Sequence, residues 1–228
     1  DCTSISVGFA DDPPAAERRR HARPRIRVMA GTLIAFEGLD QSGKQTQAES
    51  LRDHLRDQGR EAQLLSFPDY STAIGDEIAK ALHGGRDYPP DVLQLLYVAN
   101  RGEKRAQIDA WIAAGVVVIC DRYIASSIAY GDAHGLDAAW LAEIQRFLLA
   151  PHLTILLDIA PETAVGRKAA ARDRFERDLE LLGRVRASYR RQAAAPGWVR
   201  LEGERGKAEV TADVIRAVET RLAQPSPR

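Results

Sequence analysis

The stretch Leu33-Ile34-Ala35-Phe36-Glu37-Gly38-Leu39-Asp40-Gln41-Ser42-Gly43-Lys44-Gln45-Thr46-Gln47 decides the fold. Its first four residues are uninterruptedly apolar, as in a parallel strand buried on both faces. From Lys44 onward, Ala48, Leu51 and Leu55 recur at helical spacing. Between strand and helix, Gly38, Gly43 and Lys44 satisfy G-x-x-x-x-G-K. Glycines let backbone N–H groups close on phosphate oxygens, the helix N-terminus adds partial positive charge, and the lysine reaches the β and γ phosphates. Gly38, Leu39, Asp40, Gln41, Ser42, Gly43, Lys44, Gln45 and Thr46 are therefore the expected cradle of a nucleoside triphosphate. The motif normally ends in Ser or Thr, whose hydroxyl ligates Mg²⁺. Here that place is Gln45, with Thr46 one residue later.

Outward from the loop, strand and helix alternate in the manner of a parallel α/β sheet. Strands are expected at 62–67, 116–120, 153–159 and 198–201, and helices at 72–82, 91–113, 137–149, 161–170, 175–194 and 207–222. Neither an internal repeat nor a second domain is evident. In such sheets ligands lie beyond the carboxyl ends of the strands, which directs attention to residues just after them. Asp121, Arg122 and Tyr123 follow one strand, and an arginine fork suits a phosphate. Phe67, Pro68, Asp69 and Tyr70 follow another. The helix 91–113 carries Tyr97, Asn100 and Arg101 on neighbouring turns, and Arg167 to Arg177 form a basic stretch. Each of these, taken alone, is equally explained by a structural salt bridge or a solvated basic face.

With 45% hydrophobic residues in 228, the chain can bury a substantial core as one domain. A formal net charge of zero gives no global electrostatic case for nucleic acid or an anionic membrane surface as partner. The two cysteines, Cys2 and Cys120, argue for a reducing, cytoplasmic compartment and against a disulfide framework. Five histidines, His21, His54, His83, His134 and His152, lack metal-ligand spacing. Residues 1–28 are rich in arginine and interrupted by prolines, so a disordered extension is expected, with the single methionine, Met29, as initiator. Asp11, Asp12 and Glu17 speak against an organelle transit peptide. The domain is expected at 29–224, with a lid around 166–177 and a tail at 225–228.

The ordered set Glu37-Gly38-Leu39-Asp40, Phe67-Pro68, Asn100-Arg101, Asp121-Arg122-Tyr123, Ser126-Ser127 with Tyr130, and the basic run Arg167 to Glu176 resembles the thymidylate (dTMP) kinase family. The likeness covers essentially residues 31–222. It implies a three-layer α/β, P-loop nucleoside monophosphate kinase-like fold, a parallel sheet flanked by helices. The reaction implied is phosphorylation of dTMP by ATP with Mg²⁺, usually in a homodimer. By the same resemblance Lys44 and the loop amides hold ATP, and Asp40 lies between the two nucleotides near the sugar hydroxyl and the metal. Arg122 grips the acceptor phosphate. Tyr97 stacks on thymine, Arg101 and Ser127 face the base edge, and Tyr130 crowds the ribose 2′ position. Phe67, Tyr70, Asp121 and Ser126 complete the substrate site. Some relatives carry a catalytic arginine at the position of Gln41. This chain resembles those that supply lid arginines instead, here Arg167, Arg172 and Arg174.

Three departures bear on these expectations. Gln45 removes the usual hydroxyl ligand of Mg²⁺, a cation that commonly keeps several waters. The Phe67-Pro68 segment lacks the arginine often found after it, and Ser127 is small where some relatives have a longer amide. Two alternatives stay open at this stage: a related kinase for another deoxynucleotide or a deoxynucleoside, and a non-catalytic nucleotide-binding protein, suggested by Gln45 alone. A regulatory GTPase is disfavoured because N-K-x-D is absent.

Overall fold

The computed structural model describes residues 31–167 and 179–224. The expected N-terminal extension with Met29, the tail 225–228, and most of the expected lid, including Lys168, Arg172, Arg174 and Arg177, lie outside the described residues.

Five parallel strands form one sheet in the order β2-β3-β1-β4-β5. These are β1 (Thr32–Glu37), β2 (Ala62–Ser66), β3 (Val117–Asp121), β4 (Leu153–Asp158) and β5 (Trp198–Glu202). Each expected strand is present to within a residue at either end. β1 is central and buried at every position, which is why its apolar run shows no alternation. Its side chains nonetheless sort by face. Ile34 and Phe36 pack with Leu51 of α1 (Lys44–Asp57) and Val214 of α9 (Lys207–Ala223). Leu33 and Ala35 pack on the other face with Ile108, Tyr123 and Leu148. The result is three layers, as the resemblance implied. Register pairs Phe36 and Ser66 with Asp121, so Gly38, Phe67 and Arg122 all emerge at one edge of the sheet.

Several helices differ from expectation. The stretch 91–113 is two helices, α3 (Pro90–Glu103) and α4 (Arg105–Ala113), separated at Lys104. There the Lys104 N–H bonds three residues back to Arg101, and its ammonium reaches Asp69 at 2.8 Å, so a tertiary ion pair coincides with the break. The expected helix 137–149 is only α6 (Ala138–Glu143); the chain then tightens into turns, with Gln145 N–H bonding back to Ala142 and Leu148 N–H to Gln145. α2 (Ala73–Leu82), capped by Thr72, and α7 (Pro161–Gly166) begin close to where expected. The described part of the stretch 175–194 is α8 (Leu179–Gln192). One helix was not anticipated: α5 (Ile124–Ala133), sequence IASSIAYGDA. It packs tightly against α8 and α6 and buries Ala125, Ser126, Ser127, Ala129, Gly131 and Ala133. A helix buried around most of its girth with small residues carries no amphipathic period to detect. Gly131 is one reason for the composition, since a Cβ there would come within 2.5 Å of Leu141. No helix among the described residues is long and apolar enough to cross a membrane.

Candidate active site

The phosphate loop leaves β1 at Gly38, where φ is 140° and a Cβ would lie 2.5 Å from the Leu157 carbonyl oxygen on β4. Only glycine meets both conditions. Gly43, at φ 92°, precedes α1 without a side-chain cap, so the free N–H groups of the first turn suit an anion. Lys44 Nζ donates to the Leu39 carbonyl at 2.8 Å and approaches Ser42 Oγ at 3.5 Å. Burial, and next the positive charge of Arg122, pull its ammonium down to about 8, against the attraction of Asp40, Asp121 and Glu37. An anion held in the loop would favour the charged form, so anion binding and lysine protonation would be coupled.

A hard cation needs oxygen ligands. Asp121 Oδ1 is buried without a hydrogen-bond partner among the described residues, and its charge acts on Lys44. That orphaned oxygen at the end of β3 fits a cation or its hydration shell. Asp40 is instead salt-bridged to Arg122, and Gln45 is exposed with its amide bonded to Glu49 at 3.0 Å. No cluster of three or more His, Cys, Asp or Glu suited to a metal occurs among the described residues.

Beside the loop opens a cavity of about 680 Å³. Asp40, Gln41 and Gln45 form its loop wall, while Phe67, Tyr70, Tyr97, Arg101, Arg122, Ser126, Ser127 and Tyr130 line much of the rest. Arg101, only 2% exposed, donates from Nη1 to Ser127 Oγ at 2.7 Å and to Gln145 Oε1 at 3.3 Å. Its Nε is buried without a partner among the described residues, and burial lowers its pKa. Gln94 Oε1, on the same face of α3, is likewise buried and has no partner among the described residues. Burial raises the Tyr97 phenol pKa well above the ordinary value, so the ring presents a neutral face. An unused donor, an unused acceptor and a neutral aromatic are what a flat heterocycle with polar edges requires.

Arg122 sits where the loop and the cavity meet. Its backbone is left-handed at φ 63°, with its N–H bonded to the Phe36 carbonyl at 2.9 Å. Such a conformation in a non-glycine residue persists only when its surroundings enforce it. Nη2 pairs with Asp40, the guanidinium lies 5.4 Å from the Tyr130 ring centre, and Nη1 donates to Gly38 O, Ser126 Oγ and Tyr189 OH at 3.2, 3.2 and 3.3 Å. Burial opposes its charge, but Asp40 and the surrounding tyrosines and Asp121 outweigh burial and raise its pKa well above the arginine norm. Behind it, fully buried Glu37 accepts from Tyr123 N–H at 2.8 Å, Ser126 Oγ at 2.6 Å and Tyr189 OH at 3.1 Å.

The wall carrying Phe67 and Tyr70 is tied to α3 by Asn100. This side chain, 0% exposed, accepts from Asp69 N–H at 2.8 Å and donates to Asp69 O, Thr72 Oγ1 and Glu103 Oε2. Hydrogen bonds from Lys104 and then Ser71 hold the Asp69 carboxyl down to about 2. Phe67 also packs inward on Tyr123, ring centres 5.9 Å apart, while Tyr70 is 52% exposed at the mouth. Arg167 bridges the loop tip to another segment, donating to Gln41 O at 3.1 Å and Gly203 O at 3.0 Å.

The cavity thus gathers eleven of the expected residues, from Asp40 to Tyr130, whereas Gly38, Leu39, Ser42, Gly43, Lys44, Thr46 and Asp121 belong to the adjoining loop side. Arg172 and Arg174 lie outside the described residues. Sequence reasoning passed over Gln94, Gln145, Tyr189 and the part played by Glu37. Gln94 was findable, since it precedes Tyr97 by three and Arg101 by seven residues on one helical face. Tyr189 stands 67 residues from Arg122 and 152 from Glu37, with no local signal.

Comparison with known proteins places this geometry. A family model described as thymidylate kinase matches residues 36–214. The thymidylate kinase of Schizosaccharomyces pombe is 40% identical over 71% of this chain and 76% of its own length. That of Plasmodium falciparum is 30% identical over 86% of the chain and 93% of its own length. The Arabidopsis thaliana protein of that name is 39% identical over 64% of the chain, which spans only 56% of that relative. A solved thymidylate kinase from Candida albicans superposes with a TM-score of 0.72 at 30% identity, over 84% of this chain and 92% of that one.

Proposed function

The chain belongs to the thymidylate kinase family and phosphorylates dTMP, and from that premise we propose how its own residues divide the work. The loop 38–46 and Lys44 hold the ATP phosphates. The cavity takes dTMP, with thymine against Tyr97, its edge read by Arg101 and Ser127, and its deoxyribose beneath Tyr130. Arg122 grips the acceptor phosphate and Asp40 orients both that arginine and the sugar hydroxyl. The observation that carries this reading is the position of Arg122: one guanidinium touches the phosphate loop at Gly38 and Asp40 and also lines the cavity.

Little covalent chemistry falls to the protein in such a transfer. A dTMP phosphate oxygen forms a bond to the γ phosphorus as the bond to the β–γ bridging oxygen breaks and ADP leaves. The residues align the two phosphates and offset charge on the moving oxygens. Mg²⁺, when bound, would neutralise part of the charge on the transferred phosphates. Asp121, with its unpartnered oxygen, and Asp40 are the carboxylates that would hold it through water in place of the hydroxyl missing at Gln45. Arg167, Arg172 and Arg174 stabilise transition-state charge in this reading; the contact of Arg167 with Gln41 O supports its nearness to the phosphates.

A homodimer is supported by α3, where Val92 and Leu95 are exposed large apolar residues and Ala99 and Gly102 continue the stripe at i+7 and i+10 towards exposed Phe147. Cytoplasmic placement is supported by the buried free thiol of Cys120. The test is ADP release from ATP and Mg²⁺ with dTMP, dUMP, dCMP, dGMP and dAMP, for wild type and Arg101→Ala. Wild type should prefer dTMP, and the variant should lose most of its dTMP-over-dCMP discrimination, by roughly a hundredfold, the upper part of the range for losing a hydrogen bond to a charged group. Unchanged discrimination would move base reading away from Arg101.

A further inference from the structure

Tyr189, on α8, enters the site from outside every stretch that the sequence singled out. It is 1% exposed, and its hydroxyl stands between a buried anion and a cation that lines the cavity. On one side, Glu37 Oε2 is 3.1 Å away; on the other, Arg122 Nη1 is 3.3 Å away. Ser126 Oγ makes a parallel bridge, 2.6 Å from the same Glu37 oxygen and 3.2 Å from the same Arg122 nitrogen, with the two hydroxyl oxygens 2.9 Å apart.

Donor and acceptor counting orders this cluster. Glu37, as a carboxylate, only accepts, and Arg122 only donates. Each hydroxyl proton can go to Glu37, which leaves lone pairs on both hydroxyl oxygens to face Nη1. The guanidinium is a planar fork, and a planar fork is fixed in orientation only when held at two points. Asp40 takes Nη2, while Gly38 O, Ser126 and Tyr189 share the two protons of Nη1. Weakening the inner hold lets the fork swing further about the Asp40 contact, and its phosphate-facing edge turns with it.

We propose that Tyr189 is a positioning residue for phosphoryl transfer: its hydroxyl, backed by Glu37, locks the inner nitrogen of Arg122 so that the outer edge of the guanidinium faces the acceptor phosphate. This rests on the reading of Arg122 as the grip on that phosphate. A residue that acts in this way matters for a phosphate-bearing ligand and not for the nucleoside that lacks the phosphate. That difference separates positioning from general structural support.

Tyr189→Phe removes one oxygen and keeps the ring that packs with Leu156, Leu182 and Val185. Calorimetric binding of dTMP, thymidine and ATP to wild type and variant is the measurement, with melting temperature as the control for folding. The expected result is a dTMP dissociation constant raised roughly tenfold, the lower end of the cost of losing one hydrogen bond to a charged group, with thymidine and ATP unchanged. Equal weakening of dTMP and thymidine, or no change in either, overturns the proposal. The second measurement repeats the pair in an Arg122→Lys background, where Nη1 no longer exists. Tyr189→Phe should then add nothing, because both changes act on one interaction, whereas the same fold-change in both backgrounds overturns it. If Arg122→Lys alone leaves dTMP binding intact, the phosphate-grip reading falls and this inference falls with it. If Arg122→Lys weakens dTMP and Tyr189→Phe does not, this inference alone falls.

Discussion

The loop 38–46 is one consecutive stretch whose shape is set by its backbone, whereas the cavity beside it is assembled from side chains on the loop, the segment after β2, α3 and α5. The two share a border at Arg122, yet they place different demands on the sequence. The loop is constrained in its Cα geometry, as Gly38 shows where it meets Leu157. The cavity depends on distant helices holding their relative positions, and its sensitive residues are therefore those that fasten elements together. Mutations on one side should consequently spare the ligand of the other, and three measurements press on that distinction.

Arg122→Ala should have the largest effect. Turnover of dTMP is expected to fall about a thousandfold, the order seen when an arginine that offsets phosphoryl charge is removed, while ATP affinity stays near wild type. A matching loss of ATP binding, measured by calorimetry, would erase the boundary between the two sides.

Asn100→Ala comes next. It leaves the Asp69 N–H without its fully buried acceptor and removes the two amide protons shared among Asp69 O, Thr72 Oγ1 and Glu103 Oε2, so unfolding should become easier by about 2–3 kcal/mol. Because Asn100 fastens Phe67 and Tyr70 to α3 and touches nothing in the phosphate loop, dTMP affinity should drop further than ATP affinity in the folded fraction. Chemical denaturation followed by binding of each nucleotide checks both halves; equal weakening would show that the loop depends on the cavity wall.

The smallest effect belongs to the loop alone. Lys44 has its pKa lowered from 10.5 to about 8 by burial and by Arg122. Between those values the unfolded chain binds more protons than the folded one, so this group makes stability rise with pH across that window. ATP binding carries the opposite sign, because it needs the charged lysine. Its affinity should be nearly flat below pH 7 and about tenfold weaker by pH 9, with proton uptake on binding. dTMP affinity should show no such step over the same range. A dTMP profile that tracked the ATP profile would place Lys44 on both sides of the border.

The loop was legible in the sequence because every feature it needs is local: an apolar strand, two glycines at fixed spacing, a lysine and a helical period. Asp121-Arg122 was legible as a strand end, and Tyr97 with Arg101 as one helical face. The unreadable parts share one physical property, long-range dependence. α5 was missed because burial around most of its girth removes periodicity. The break at Lys104 coincides with a pairing to Asp69, and Tyr189 enters the site only because α8 lies across α5.

The sequence by itself determined the sheet, the phosphate-binding loop and the residue types able to hold two phosphorylated ligands, since short-range sterics and hydrophobic pattern suffice for these. Only the tertiary structure decided which way Arg122 points. That orientation is a balance among Asp40, Gly38, Ser126, Tyr189 and the buried Glu37, contributed by β1, the loop, α5 and α8, and no stretch of chain contains it.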